Sequence, residues 1–209
     1  MNEPVQVVDR VLDIIEQLAE ASGPMGPTKL AEATGLNKSS VYRLLSTLLA
    51  RRYVEKNQED GTYYIGPKLI EVVSCYINSL ELQTEARPYL TELARELNLT
   101  THLGILDGYE VVYVEKLDNL PSVRLYANIG YRVPAYCSSL GKCLLSCLSR
   151  EELKRTLKEC TFIPYTTKTI TDLSTLQLHL REVRKQGWAM DDEESEEGHR
   201  CIAAPIFDY

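Results

Sequence analysis

Leu36-Asn37-Lys38-Ser39-Ser40-Val41-Tyr42-Arg43-Leu44-Leu45-Ser46-Thr47-Leu48 decides how the N-terminal part of this chain folds. Val41, Leu44, Leu45 and Leu48 fall on one arc of a helix, and Ser39, Arg43, Ser46 and Thr47 fall on the opposite arc. Asn37 stands where its side chain can accept from the unpaired amides of the first turn. Just upstream, Gly35 closes a shorter helix through Leu30, Ala31 and Ala33, with Thr28 as its expected N-cap. Two helices joined by so tight a glycine-containing turn make a helix-turn-helix unit. The outward arc carries short hydroxyls that can reach base edges and a cation that can meet phosphate, as a helix seated in a major groove requires. The wet face of any surface helix would look similar, so the flanking sequence has to decide.

It does so on both sides. Upstream, Val8, Val11, Leu12, Ile15 and Leu18 recur at helical spacing and predict an amphipathic helix ending near Ser22-Gly23-Pro24. Downstream, Tyr53-Val54-Glu55-Lys56, then Asn57 to Gly61, then Thr62-Tyr63-Tyr64-Ile65-Gly66 read as strand, Asp-Gly turn and strand. Helix, tight turn, helix, hairpin is the winged helix-turn-helix, expected over residues 1–66 with a core centred on Ile15, Leu30, Val41, Leu44 and Leu48. The expected DNA contacts are Lys38, Ser39, Ser40, Tyr42, Arg43 and Thr47, with Lys56 on the wing.

The chain of 209 residues carries a net charge of −7, which taken alone opposes a nucleic-acid partner. The distribution answers that objection. Lys38, Arg43, Arg51, Arg52 and Lys56 cluster, and no acid lies between Ala33 and Val54. Only the contact surface has to attract phosphate.

Pro67 can open a connector helix over 67–82, striped by Leu69, Val72, Val73, Tyr76, Ile77 and Leu80. That stripe fits equally a surface packed on its own domain and a seam between two copies. A second domain is expected over 83–209. It starts with a helix from about Thr84 to Leu97 that holds Pro88 in its first turn. A hairpin follows, Thr101–Leu106 and Tyr109–Glu115 about Asp107-Gly108, then a strand around Val123–Tyr126. Helices are expected from Ser139 to Leu148, behind a capping box at Ser149–Glu152, and from Asp172 to Gln186 ended by Gly187. Strands around Trp188–Met190 and Cys201–Phe207 complete an α+β arrangement of helices against a mainly antiparallel sheet.

No apolar run approaches the roughly 20 residues that a membrane-crossing helix needs, and Met1-Asn2-Glu3-Pro4 opens no signal peptide, so a cytoplasmic protein is expected. Six cysteines at irregular spacing, without a CxxC pair, fit reduced and packed thiols. Three histidines, His102, His179 and His199, sit in no catalytic signature, so no enzyme is expected. A metal sensor built on Cys143 and Cys147, or on Asp191, His199 and Cys201, is the second rival, but core thiols explain the first pair better. The expectation is no metal and no cofactor.

Three blocks in order resemble the IclR family of bacterial transcription regulators over the whole chain. They are Leu36–Leu45 with Tyr53-Val54, Val133-Pro134-Ala135-Tyr136-Cys137-Ser138-Ser139-Leu140-Gly141-Lys142, and Asp191–Glu194 leading through Glu197-Gly198 to Cys201–Pro205. Thr101-His102-Leu103-Gly104 and the region from Arg124 to Gly130 look most like the subgroup of 2-keto-3-deoxygluconate repressors. The resemblance implies a C-terminal domain folded like a GAF module that binds a small organic acid, such as a keto sugar acid, and controls operator affinity, in a repressor that assembles as a dimer or tetramer. Matched residue by residue, it places effector contacts at the amides of Ser139 and Leu140 and the side chains of Asp191 and Cys201. A helix start with unpaired amides suits a carboxylate. Ser138-Ser139 would read equally as an N-cap, and Cys201 as a small buried apolar residue. The family pattern continues beyond Phe207-Asp208-Tyr209 with a strand and a closing helix, so the resemblance also implies an effector domain that is incomplete at its C-terminus.

Overall fold

The structure, a computed structural model, describes residues 5–79, 81–118 and 129–207. The chain divides into two compact units, Met1–Leu80 and Glu81–Tyr209.

The first unit contains α1 (Gln6–Glu20), α2 (Pro27–Thr34), α3 (Lys38–Ala50), β1 (Val54–Lys56), β2 (Tyr63–Ile65) and α4 (Lys68–Ser79). Its core joins Ile14, Leu18, Leu30, Val41, Leu44, Leu45, Leu48, Val54 and Tyr63. Burying aliphatic side chains of this size is worth about 1.5–3 kcal/mol each, so this cluster is what holds three short helices together. Two expectations need correction here. Ile14, not Ile15, is fully buried, and Val8 and Leu12 lie on the exposed side of α1. The apolar side of α1 is one broad arc, and α2 and β2 cover only the part of it that carries Ile14 and Leu18. Thr28 is not the cap of α2. Gly26 occupies that position without a side-chain bond, and Pro27 starts the helix, because its fixed φ suits the first turn and it lacks an amide to satisfy. Gly35 ends α2 at φ 67°, a left-handed position that costs glycine nothing.

Strands β1 and β2 pair antiparallel, Val54 opposite Ile65 and Lys56 opposite Tyr63. Gly61 turns the wing at φ 72°, and Asp60 accepts from the Thr62 amide at 2.9 Å. A third backbone segment widens the wing: Met25 and Tyr63 exchange both backbone bonds, at 2.9 and 2.8 Å. α4 leaves Ile70, Val72, Val73 and Tyr76 exposed. Of the expected stripe, Leu80 and the side chain of Ile77 lie outside the described residues.

The second unit contains α5 (Glu81–Leu97), β3 (Thr101–Asp107), β4 (Glu110–Leu117), β5 (Arg132–Pro134), α6 (Ser139–Cys147), α7 (Arg150–Thr156), α8 (Leu173–Gln186), β6 (Ala189–Asp192) and β7 (Arg200–Ala203). The fold is α+β. In place of one sheet, the described residues form a three-stranded antiparallel sheet, β3-β4-β5, and a separate hairpin, β6-β7. α5 starts about one turn earlier than its sequence suggests, which moves Pro88 from the first turn into the helix interior. The added turn carries Gln83, which donates to the Val114 carbonyl at 3.0 Å and to Glu115 Oε2 at 3.1 Å, a tertiary anchor invisible in the local pattern. β7 ends at Ala203 rather than Phe207, since Pro205 has no amide to offer a ladder. The strand expected at Val123–Tyr126 lies outside the described residues.

One irregularity positions everything that follows. Leu103 pairs with Glu115 and Gly104 with Tyr113, so Val114 is an extra residue, a β-bulge, on β4. Without it Tyr113 and Glu115 would share a face. With it, Glu115 turns to Gln83 on α5, while Tyr113 shares the face of Gly104, where an added Cβ would come 3.2 Å from Leu140 Cδ1 of α6. A two-sided layer results, with α5 behind the sheet and α6 in front.

Candidate DNA interface and effector site

Asn37 caps α3 as its sequence predicts, accepting from the Ser40 amide and the Ser39 hydroxyl, each at 2.8 Å. A cap of this kind is worth about 1 kcal/mol and sets the start of the recognition helix. Lys38, Ser39, Tyr42, Arg43 and Thr47 are exposed, and Ser40 is half-buried. The Ser46 and Thr47 hydroxyls donate to the Arg43 carbonyl at 2.7 and 3.3 Å, which leaves oxygen lone pairs on the outer surface. Lys56 Nζ lies 5.7 Å from the centroid of the Tyr63 ring, and its chain runs beside Gly61, so this cation sits at the wing turn. Six of the seven expected contacts thus lie on one helix, and Lys56 lies on the wing of the same unit.

In the second unit, Ser138 caps α6, accepting from the Gly141 amide at 3.2 Å and donating to the Pro134 carbonyl at 3.2 Å. Ser139 is buried and Leu140 half-buried. As the first two helical residues, their amides have no carbonyl within the helix to meet. Asp191 is buried and stands opposite Cys201 across the β6-β7 hairpin. Its carboxylate accepts from the Glu194 amide at 2.7 Å, the Ser195 amide at 3.4 Å and the Ser195 hydroxyl at 2.5 Å. Asp191 therefore also holds the turn after β6, where Glu193 adopts φ 63°. Cys201 Sγ lies 3.5 Å from His199 Nε2.

Electrostatics tie these groups into one place. Burial pushes the Cys201 thiol up to about 11 and the Cys137 thiol up to about 12, and the charge of Asp191 adds to both. Tyr113 is also raised, by burial first and then by Cys201 and Asp191. Its ring packs edge-on against His102, centroids 5.0 Å apart. The site thus faces both Asp191–Cys201 and the front of the β3-β4 sheet. Sequence reading included neither His102 nor Tyr113; alternation along β3 could have set the face of His102, but the bulge on β4 that brings Tyr113 to it gives no sequence signal. Sequence reading also missed the buried pair of Lys142 and Glu194, whose atoms bond from α6 to the turn after β6. Among the described residues no group of three or more His, Cys, Asp or Glu is arranged to hold a metal ion, and no helix is long and apolar enough to cross a membrane.

A winged helix-turn-helix with a polar outer face, joined to an α+β domain with a polar site at a helix start, is the architecture of a DNA-binding transcription regulator. The chain belongs to the IclR family. Residues 7–58 match the IclR helix-turn-helix domain, and residues 74–209 match the bacterial transcriptional regulator IclR C-terminal domain. The chain is 36% identical to the HTH-type transcriptional regulator XynR of Escherichia coli strain K12, over 98% of its own length and 81% of the relative's. It is 37% identical to KdgR of the same organism, over 99% and 78%. An IclR homolog from Microbacterium hydrocarbonoxydans, solved with 4-hydroxybenzoate, shares the fold at a TM-score of 0.85 and 22% identity, over 97% of this chain and 83% of that one.

Proposed function

We propose that the chain is a cytoplasmic repressor whose operator affinity is controlled by a small organic acid, most specifically a keto sugar acid. What supports this reading is that α6 packs against β6 and β7, where Asp191 stands opposite Cys201, Cys201 lies beside His199, and Tyr113 feels both Asp191 and Cys201. The first-turn amides of α6 suit the acid's carboxylate, and the neutral thiol and phenol suit its uncharged oxygens. Asp191 would accept from a ligand hydroxyl, since a carboxylate facing it would be repelled. The similarity to KdgR agrees with the subgroup that the sequence resembles, and the Microbacterium homolog binds an organic acid, 4-hydroxybenzoate. In the first unit, Arg43, Lys38, Tyr42 and Lys56 meet the operator backbone and groove edges while Ser39, Ser40 and Thr47 approach bases.

The protein works as a dimer or tetramer, because operators and their regulators share two-fold symmetry and α4 exposes Ile70, Val72, Val73 and Tyr76. The test is fluorescence anisotropy on operator DNA titrated with keto sugar acids at fixed salt. Release of DNA by such an acid, but not by the matching neutral sugar, is the expected result. Operator affinity indifferent to every acid would sink the proposal.

A further inference from the structure

His102 follows from the geometry of β3 rather than from any motif. Along an uninterrupted strand, residues two apart share a face. The bulge lies on β4, so alternation along β3 is intact and His102, Gly104 and Leu106 point the same way. Gly104 faces Leu140, and Leu106 packs into the cluster around Val111 and Tyr136, so this is the side that fronts α6. His102 therefore stands beside Tyr113 on the floor of the site that also holds Asp191 and Cys201.

Its Nε2 is buried and has no hydrogen-bond partner among the described residues. Burial, reinforced by the charge of Lys116, holds the imidazole down to about 4. At neutral pH the ring is uncharged, able to donate or accept according to tautomer. A buried polar nitrogen without a partner has given up its bonds to water unrecovered, a loss that a ligand oxygen can make good.

We propose that His102 determines effector specificity, its Nε2 exchanging a hydrogen bond with a hydroxyl on the uncharged part of the acid. The first-turn amides of α6 take the carboxylate, and His102 reads what the rest of the molecule carries. Hydroxylated acids are thereby favoured over short acids that present nothing to the imidazole. This inference rests on the effector site proposed above.

The experiment is calorimetric titration of the full chain with 2-keto-3-deoxygluconate and with pyruvate, which has the same keto-acid head and no hydroxyls. His102→Phe keeps an aromatic ring against Tyr113 and removes the nitrogen; His102→Gln restores a polar atom. His102→Phe should weaken the hydroxylated acid about tenfold or more and leave pyruvate unchanged, with His102→Gln recovering part of the loss. Equal losses for both acids, or no loss in either, would overturn the assignment of His102. Cys201→Phe separates the two ideas by filling the site. If it abolishes binding of both acids while His102→Phe changes nothing, only His102 is misassigned. If both acids bind Cys201→Phe normally, or bind neither variant nor parent, the effector reading falls and the role of His102 with it.

Discussion

The ammonium of Lys142, completely buried on α6, bonds to the carboxylate of Glu194 in the turn after β6. Glu194 also lends its amide to Asp191, so one turn anchors both the ion pair and a proposed effector residue. Desolvation raises the pKa of Glu194 and the charge of Lys142 opposes that rise. Breaking a buried pair from one side strands the other charge, at a cost of about 3–5 kcal/mol. Lys142→Met should therefore destabilise the second unit by about that amount, whereas Lys142→Met with Glu194→Leu should recover most of it. Trp188, the single tryptophan, begins the approach to β6 and reports this unit by fluorescence during urea unfolding. A double variant no more stable than the single one would refute the explanation.

Gly141 makes the approach of α6 possible. A Cβ there would overlap the Cα and carbonyl of Ala135 in the turn Ala135–Cys137 that precedes the helix. Those atoms are backbone and cannot step aside as a side-chain tip can. Gly141→Ala should cost about 1–3 kcal/mol by overpacking and tilt the amides of Ser139 and Leu140, weakening effector binding even where the unit stays folded. Thermal melts and calorimetry on the same preparation check it; an unchanged midpoint with unchanged affinity would contradict it.

What the sequence revealed follows the range of the interactions involved. Asn37 as a cap, Ser149 and Glu152 as a capping box, and Gly187 as a helix stop each depend on residues a few positions apart, and each is found as read. Ile14 was not legible, because the apolar arc of α1 is broad and only the neighbouring elements select which side of it is covered. Likewise Gln83 extends α5 through a bond to Val114, and Lys142 finds Glu194 far along the chain. The bulge at Val114 was equally hidden, and it alone puts Tyr113 beside His102. The proposed site was legible where residue-type blocks mark it, at Ser139, Leu140, Asp191 and Cys201. It was illegible where strand register does.

On the DNA side, Arg43 is the exposed cation at the middle of α3, on the arc opposite Val41 and Leu44. Arg43→Ala should weaken operator binding by about 1–3 kcal/mol without altering the core, since every buried residue of α3 remains. Comparison at matched salt is essential, because phosphate contacts make affinity fall steeply with ionic strength. Unchanged anisotropy titrations would remove Arg43 from the interface.

Acid stability should bear the mark of His102. Its folded pKa is depressed to about 4 from the ordinary 6.5, mainly by burial, with Lys116 and His199 adding and Asp118 opposing. His179 on α8 is depressed in the same direction, by burial and by Lys142. Below 6.5 the unfolded chain takes up protons that the folded chain still refuses, so stability falls as pH drops from about 6.5 toward 4. Each such group can contribute at most about 1.4 kcal/mol per pH unit, and less for His102, which is only half-buried. Glu194 works in the opposite sense: its raised pKa favours the folded state at acid pH and loses that advantage as pH rises. A single pH curve would mix these terms, so the informative quantity is a difference between proteins. His102→Phe removes one titrating site while keeping the ring packing on Tyr113. Urea midpoints followed by Trp188 fluorescence at about pH 7 and about pH 5 should converge more closely in His102→Phe than in the parent. The residual slope should shrink again when His179→Phe is added. Parallel slopes in parent and variant would mean that His102 takes up its proton in the folded state near its ordinary pKa, so that its imidazole is open to water rather than sealed behind Tyr113.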